Sequence, residues 1–179
     1  MRRAFSIVLL LALLPRQAAA QKPFEISGGY APAHDARDEV TLPAGWMAGA
    51  ALDLTPAFSV VADFSGQYKT ISLFTGDARL GVFSAMGGMR ASARIGPLIE
   101  FGQVLAGVVR TSGSAFGSTT TGSSFSVQPG VGIDYPQTGR WRTHAELDVR
   151  LLTAQTDGQN NGWQYRFVAA LVYRRHRSP

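Results

Sequence analysis

His144 and Glu146 share one face of an alternating segment, with Ser126 and Ser84 as hydroxyls that could join them. A serine, a histidine and an orienting carboxylate are the parts of a nucleophilic hydrolase. The polarity of the surrounding segments turns this face inward. A lone histidine on a polar face is more often a hydrogen-bonded interior residue than a ligand or base. His34 and His176 lie far away in sequence. No Gly-x-x-x-x-Gly-Lys phosphate loop and no His-Glu-x-x-His zinc motif occurs. The stretch PGVGIDY, Pro129 to Tyr135, begins like a dinucleotide fingerprint but lacks the third glycine and a following helix. The expectation is therefore no enzyme, no catalytic residue, no cofactor and no metal.

The elements that carry these residues are strands. In the last hairpin, Trp163, Tyr165, Phe167, Ala169, Leu171 and Tyr173 alternate with Gln164, Arg166, Val168, Ala170, Val172 and Arg174. The segment before it sets Trp141, Thr143, Ala145, Leu147, Val149 and Leu151 against Arg142, His144, Glu146, Asp148 and Arg150. A period of two is the strand signal. It recurs over Phe24 to Tyr30, Trp46 to Leu54, Phe58 to Lys69, about Val82 to Arg94, Leu98 to Arg110, and Phe125 to Tyr135, which makes eight strands. The fifth is ambiguous: Glu100 and Arg110 share a parity and Gln103 takes the other, which a bulge would reconcile.

The connections fall into two kinds. Thr55-Pro56-Ala57, Ile95-Gly96-Pro97 and Pro136 to Arg140 are tight, Pro- and Gly-rich turns. Ala31 to Gly45, Thr70 to Gly81, Thr111 to Ser124 and Thr153 to Asn161 are longer and polar, and read as surface loops. Strict alternation of short and long connections fits an up-and-down barrel with turns at one rim and loops at the other.

Residues 1–20 read as a secretory signal, with Arg2 and Arg3, an apolar core from Ala4 to Leu14, and Ala18 to Ala20 before the cut. That leaves 21–179 as one barrel domain. No helical membrane span is expected, because no later apolar run approaches the roughly 20 residues a bilayer demands. Of 17 basic residues, Arg2, Arg3 and Arg16 leave with the signal, so 14 face 12 acidic ones, a net of +2. The pI of about 10.1 therefore gives no case for nucleic-acid binding. There is no cysteine, so stability has to come from elsewhere, and a closed barrel with every backbone group paired supplies it.

The apolar stripes carry aromatics at their ends, Trp46, Phe58, Tyr68, Trp141, Trp163 and Tyr173, as the girdles of a membrane barrel do. The polar face mixes small residues with charges of both signs. Eight strands enclose an interior just wide enough for side chains. Buried charges there must be paired, and Arg90, Arg142, Arg150 and Arg166 have Asp63, Glu100, Glu146 and Asp148 to face. The expected fold is all-β, an eight-stranded antiparallel up-and-down transmembrane barrel with short periplasmic turns and longer extracellular loops. A soluble lipocalin-like barrel, apolar inside and binding a small apolar ligand, is the alternative. It leaves the sorting of the loops unexplained.

The segments PFEISGGYAP, QPGVGIDYP, WRTHAELDVRLLTAQTDGQNN and WQYRFVAALVYR resemble the outer-membrane β-barrel domain family, small barrels similar to the barrel domain of outer-membrane protein A. The resemblance spans about Pro23 to Tyr173, and Gly130, Gly132 and Asp134 are its most telling part. It implies a bacterial outer-membrane location and a structural or loop-mediated adhesion or recognition role. As partners it implies the lipid bilayer, the barrel insertion machinery and an extracellular ligand of the loops, for a monomer. Two departures stand out: Arg174 to Pro179 follow the terminal aromatic, and nothing there resembles a peptidoglycan-binding domain. Some barrels of this kind hydrolyse lipid A, but an inward His144 points away from lipid.

Overall fold

The computed structural model describes residues 23–36, 39–73, 76–115, 118–137, 139–153 and 162–175. The expected signal segment 1–20 and the centre of the last long loop lie outside them. Among the described residues there is no helix. Ten strands form one antiparallel sheet: β1 (Phe24–Tyr30), β2 (Ala33–Asp35), β3 (Val40–Leu42), β4 (Ala44–Asp53), β5 (Phe58–Leu73), β6 (Gly76–Ile95), β7 (Leu98–Ala115), β8 (Ser118–Pro136), β9 (Trp141–Leu152) and β10 (Gly162–Arg175). Eight of them, β1 and β4 to β10, pair in sequence order. The sheet closes where β1 meets β10, from Phe24 opposite Arg175 to Tyr30 opposite Ala169. Closure leaves these strands without edges across the membrane, where no water is present to satisfy them.

The short turns sit where expected, and Gly96 and Gly139 adopt the positive φ that two of them require. Three of the long connections differ from the expectation. Residues 31–36 and 39–45 continue the first hairpin as β2 and β3. Tyr30 faces Ala169 and Ala33 faces Arg166, so β1 and β2 follow β10 in one register with Ala31 and Pro32 between them, and the Pro32 carbonyl oxygen still accepts from Phe167 N at 3.2 Å. Proline has no N–H to donate, and Pro43 separates β3 from β4 in the same way. On the other side Tyr30 faces Trp46 and Ala33 faces Leu42, so two residues oppose three in a local bulge.

The second and third long connections are mostly strand as well. β5 and β6 stay paired to Leu73 and Gly76, and β7 and β8 to Ala115 and Ser118. β6 and β7 pair as far as Arg79 and Ser114. β9 stops at Leu152, opposite Ser126. Four strands therefore run on as one sheet past the rim that β9 defines. The β6–β7 register is unbroken from Arg79–Ser114 to Ile95–Leu98, so the fifth predicted strand holds no bulge.

Inside, the lumen is not uniformly charged. Leu42, Val82, Met86, Leu105 and Val109 form a buried apolar cluster, and Met47, Val168 and Ala170 form a second. The outer face carries the larger apolar side chains, with Phe64, Val104, Phe125, Val131 and Phe167 all more than half exposed. A water-soluble sheet would bury these.

Candidate functional site

The lumen holds the chemistry. Arg166 on β10 is fully buried. Its Nε donates to Asp148 on the neighbouring strand at 2.8 Å, and Nη1 and Nη2 reach Asp63 across the barrel at 2.9 and 3.2 Å. Nη2 also meets Glu146 at 3.4 Å. One guanidinium thus ties β5, β9 and β10 together with the two-pronged geometry that favours arginine over lysine.

Toward the turn rim, Arg90 donates to the Gln103 carbonyl oxygen from Nε and Nη2, at 3.0 and 2.9 Å, and lies 4.2 Å over the Phe101 ring. Gln103 passes the contact on, its Nε2 donating to Glu146 at 2.9 Å. His144 stacks on Phe101 and bridges two carboxylates, Nδ1 at 2.6 Å from Asp134 and Nε2 at 3.0 Å from Glu146. Arg142 pairs with Glu25 at 3.0 Å and Asp134 at 3.6 Å. Arg174 pairs with Asp53 at 2.6 Å and Glu25 at 3.5 Å. Arg150 is different. It is fully buried, and its bonds go to neutral oxygens, those of Gln128, Ser84 and Gln164 at 2.9, 3.1 and 3.4 Å.

Small residues make room for this network. Gly130 and Gly132 point into the lumen from β8. A Cβ on Gly130 would strike the Asp148 carboxylate, and one on Gly132 would strike the Phe101 ring and the Ala145 carbonyl. The Gly-x-Gly-x-Asp stretch is thus two spaces followed by a ligand for Arg142 and His144.

Of the charges assigned to the interior from sequence, Asp63, Arg90, Arg142, Glu146, Asp148, Arg150 and Arg166 all point inward. Glu100 does not. On β7 the buried parity is that of Phe101, Gln103 and Leu105, which leaves Glu100 and Arg110 exposed on the outer face. Glu100 carries a charge on this strand, but Gln103 has the inward parity. Glu25, Asp53, Asp134, Arg174, Gln103, Gln128 and Gln164 join the network without having been expected there. All of these share the polar parity of their strands, which was the available signal.

The hydrolase constellation does not assemble. Ser126 donates to the Leu151 carbonyl oxygen, and Ser84 bonds Ser65 and Arg150, while both nitrogens of His144 are on carboxylates. No group of three or more His, Asp or Glu side chains among the described residues is placed to hold a metal ion. A cavity beside Asp63, Arg90, His144 and Glu146 measures about 10 Å³, about what one water needs.

The aromatics fall at two levels. Trp46, Tyr68 and Trp163 lie toward the loop rim, where Trp46 Nε1 donates to the Tyr68 hydroxyl at 3.2 Å and Tyr68 packs edge-on against Phe83. Phe58, Trp141 and Tyr173 lie toward the turn rim, where Trp141 packs on Tyr173 and Arg140 donates to the Tyr173 hydroxyl. Phe58 and Tyr68 stand ten residues apart on β5. At roughly 3.3 Å per residue and a tilt of roughly 35–45°, that is roughly 23–27 Å of height, the depth of the apolar band a barrel presents to lipid.

An apolar outside, a charged and filled inside, a closed sheet and two aromatic levels define a transmembrane β-barrel. The fold is that of a small bacterial outer-membrane barrel. Ail, the attachment invasion locus protein of Yersinia pestis, solved with the heparin analogue sucrose octasulfate, superposes with a TM-score of 0.63 at 19% identity, over 87% of this chain and 99% of that one. Neisserial surface protein A (NspA) gives 0.68 at 11% identity, over 86% and 97%. The N-terminal barrel domain of Pseudomonas aeruginosa OprF gives 0.52 at 12%, over 87% and 98%. At these identities the likeness is one of fold. The sequence matches no protein-family model and no curated protein.

Proposed function

We propose that this barrel serves recognition outside the membrane, through the sheet that β5 to β8 raise above the loop rim. One observation carries the reading. Thr153 N donates to the Phe125 carbonyl oxygen at 3.0 Å, and beyond that point no described strand pairs with the outer side of β8. Phe125 thus turns its backbone groups toward β9, and Thr121 and Thr119, of the same parity, turn theirs to the side of β8 where no described strand lies. A strand edge of this kind accepts an extended segment of a partner by strand addition. The Ser/Thr composition keeps it soluble and lends no side-chain pockets, so backbone pairing would supply most of the affinity. Attachment is a role this fold can carry, as Ail illustrates. No catalytic role is assigned, and the lumen network is read as structural.

The test is a peptide-display selection against the protein in lipid nanodiscs, repeated with Thr121→Pro. That change removes an N–H aimed at the edge and spares the ladder to β7. Enriched extended peptides that bind the parent and not the variant, with gel mobility unchanged, are the expected result. Binding that is indifferent to Thr121→Pro would move the site elsewhere.

A further inference from the structure

The outer face carries a feature that the recognition reading does not use. Near the turn rim, β5 to β8 enclose an open trough of about 600 Å³ on the lipid side. Its floor is Ala91, Ala93 and Gly102, and its walls are Phe58 on one side and Val131 with Ile133 on the other. The register sets these together: Ala91 faces both Phe58 and Gly102, and Gly102 faces Val131. A Cβ on Gly102 would meet only the Gly130 carbonyl oxygen, 4.0 Å away. No neighbour demands the glycine, and its effect is to keep the trough open.

Glu100 stands at the end of the trough nearer the turn, two residues from Gly102 on the same face, opposite Ala93 and Ile133. It is exposed, and no described cation pairs with it. A carboxylate facing outward at the edge of the apolar band is placed at headgroup depth, where a charge costs least. With the short turns on the periplasmic side, that depth belongs to the inner, phospholipid leaflet.

We propose that this trough is a site for one phospholipid with a primary-ammonium headgroup, its acyl chain lying along Gly102 and its ammonium on Glu100. The acyl chain follows from the trough's place in the hydrocarbon band. The headgroup follows from charge: an anionic phospholipid would bring its phosphate and headgroup charges against the Glu100 carboxylate, whereas phosphatidylethanolamine brings a donor. The proposal rests on the barrel's being membrane-inserted.

The probe is an equimolar mixture of phosphatidylethanolamine and phosphatidylglycerol with identical acyl chains, presented to the purified full-length protein and read by native mass spectrometry. The expected outcome is one retained lipid, with phosphatidylethanolamine preferred roughly fivefold, the scale of a single partly desolvated ion pair. Glu100→Gln should abolish the preference and keep the retained lipid. Gly102→Leu, which fills the trough, should lose the lipid. Ala93→Leu is the substitute if that variant fails to show a heat-modifiable band. A parent protein that retains no lipid, retains both equally, or appears as a dimer with the trough covered by a second copy overturns the proposal. If the membrane reading itself were wrong, the protein would fractionate as soluble with unchanged gel mobility, which separates the two failures.

Discussion

The Arg166 cluster shows how a charge becomes tolerable inside a barrel. Three carboxylates surround one guanidinium, and its counter-charges come from two different strands. Replacing well-packed buried ion pairs with apolar groups is often neutral, but removing one partner leaves the rest uncompensated. Arg166→Met is therefore expected to cost about 3–5 kcal/mol, read as a lower urea midpoint for the lipid-inserted protein. Asp63→Asn in the same chain should recover part of the loss, because it removes one of the stranded charges. An Arg166→Met variant as stable as its parent would mean the cluster holds nothing together. Gly130→Ala tests the space rather than the charge. It would push on the Asp148 carboxylate and is expected to cost about 1–3 kcal/mol by overpacking, while Gly102→Ala on the open outer face should shift the midpoint little. The seven charged positions that point inward were legible because parity alone decides direction in a strand. Glu100 carries its charge on the outward parity of β7, and Glu25 meets Arg142 and Arg174 only because β1 closes on β10, which no single strand reveals.

Among the elements, the strands that span lipid were plain in the sequence and their extensions were not. From Phe58 to Tyr68 the two faces meet different solvents, so the alternation is written in hydrophobicity. Above the rim both faces of β7 and β8 meet water, and Thr111 to Ser114 and Ser118 to Ser124 carry no contrast to read. Pro32 and Pro43 hid β2 and β3 for another reason, since each removes a ladder donor where the strand nonetheless continues. Pro129 shows the same effect inside the barrel. Pairing between β8 and β9 holds at Val127–Leu151 and resumes at Gly130–Asp148, with a gap where Pro129 would face Val149, although the β7 side pairs it with Val104. Its parity matches Phe125 and Val127, whose backbone groups turn to β9, so the missing N–H falls on that ladder. Pro129→Val restores the donor on a lipid-facing position and is expected to stabilise the barrel by about 1 kcal/mol, seen as a higher urea midpoint. A lower midpoint would show that the gap relieves strain which the added donor cannot offset.

For the molecule as a whole, the question is which way the barrel faces and whether it conducts. Phe64, Val104, Phe125 and Phe167 on the outside predict recovery in the outer-membrane fraction and a faster band before boiling than after it. A soluble protein with one mobility would contradict the membrane reading and return attention to an apolar ligand. Conductance follows from the lumen. Arg166, Arg150, Asp148, Gln67 and Gln128 have essentially no exposure, and the cavity beside the Glu146 carboxylate has room for about one water. The turn-rim mouth widens to about 120 Å³ among Glu25, Arg90, Asp134 and Arg142, but it leads down to that closed layer. An ion crossing here would have to part Arg166 from carboxylates on β5 and β9 in a low-dielectric interior, where each separated charge costs several kcal/mol. Planar-bilayer recordings of the parent should therefore show no large, stable conductance steps. Arg166→Ser, which shortens the side chain that bridges the lumen, should add only brief, small openings, because Arg90 and Arg150 still occupy neighbouring layers. Large steady steps from the parent protein would mean that the lumen is not filled in the bilayer, and the role of the network as a plug would fall with it.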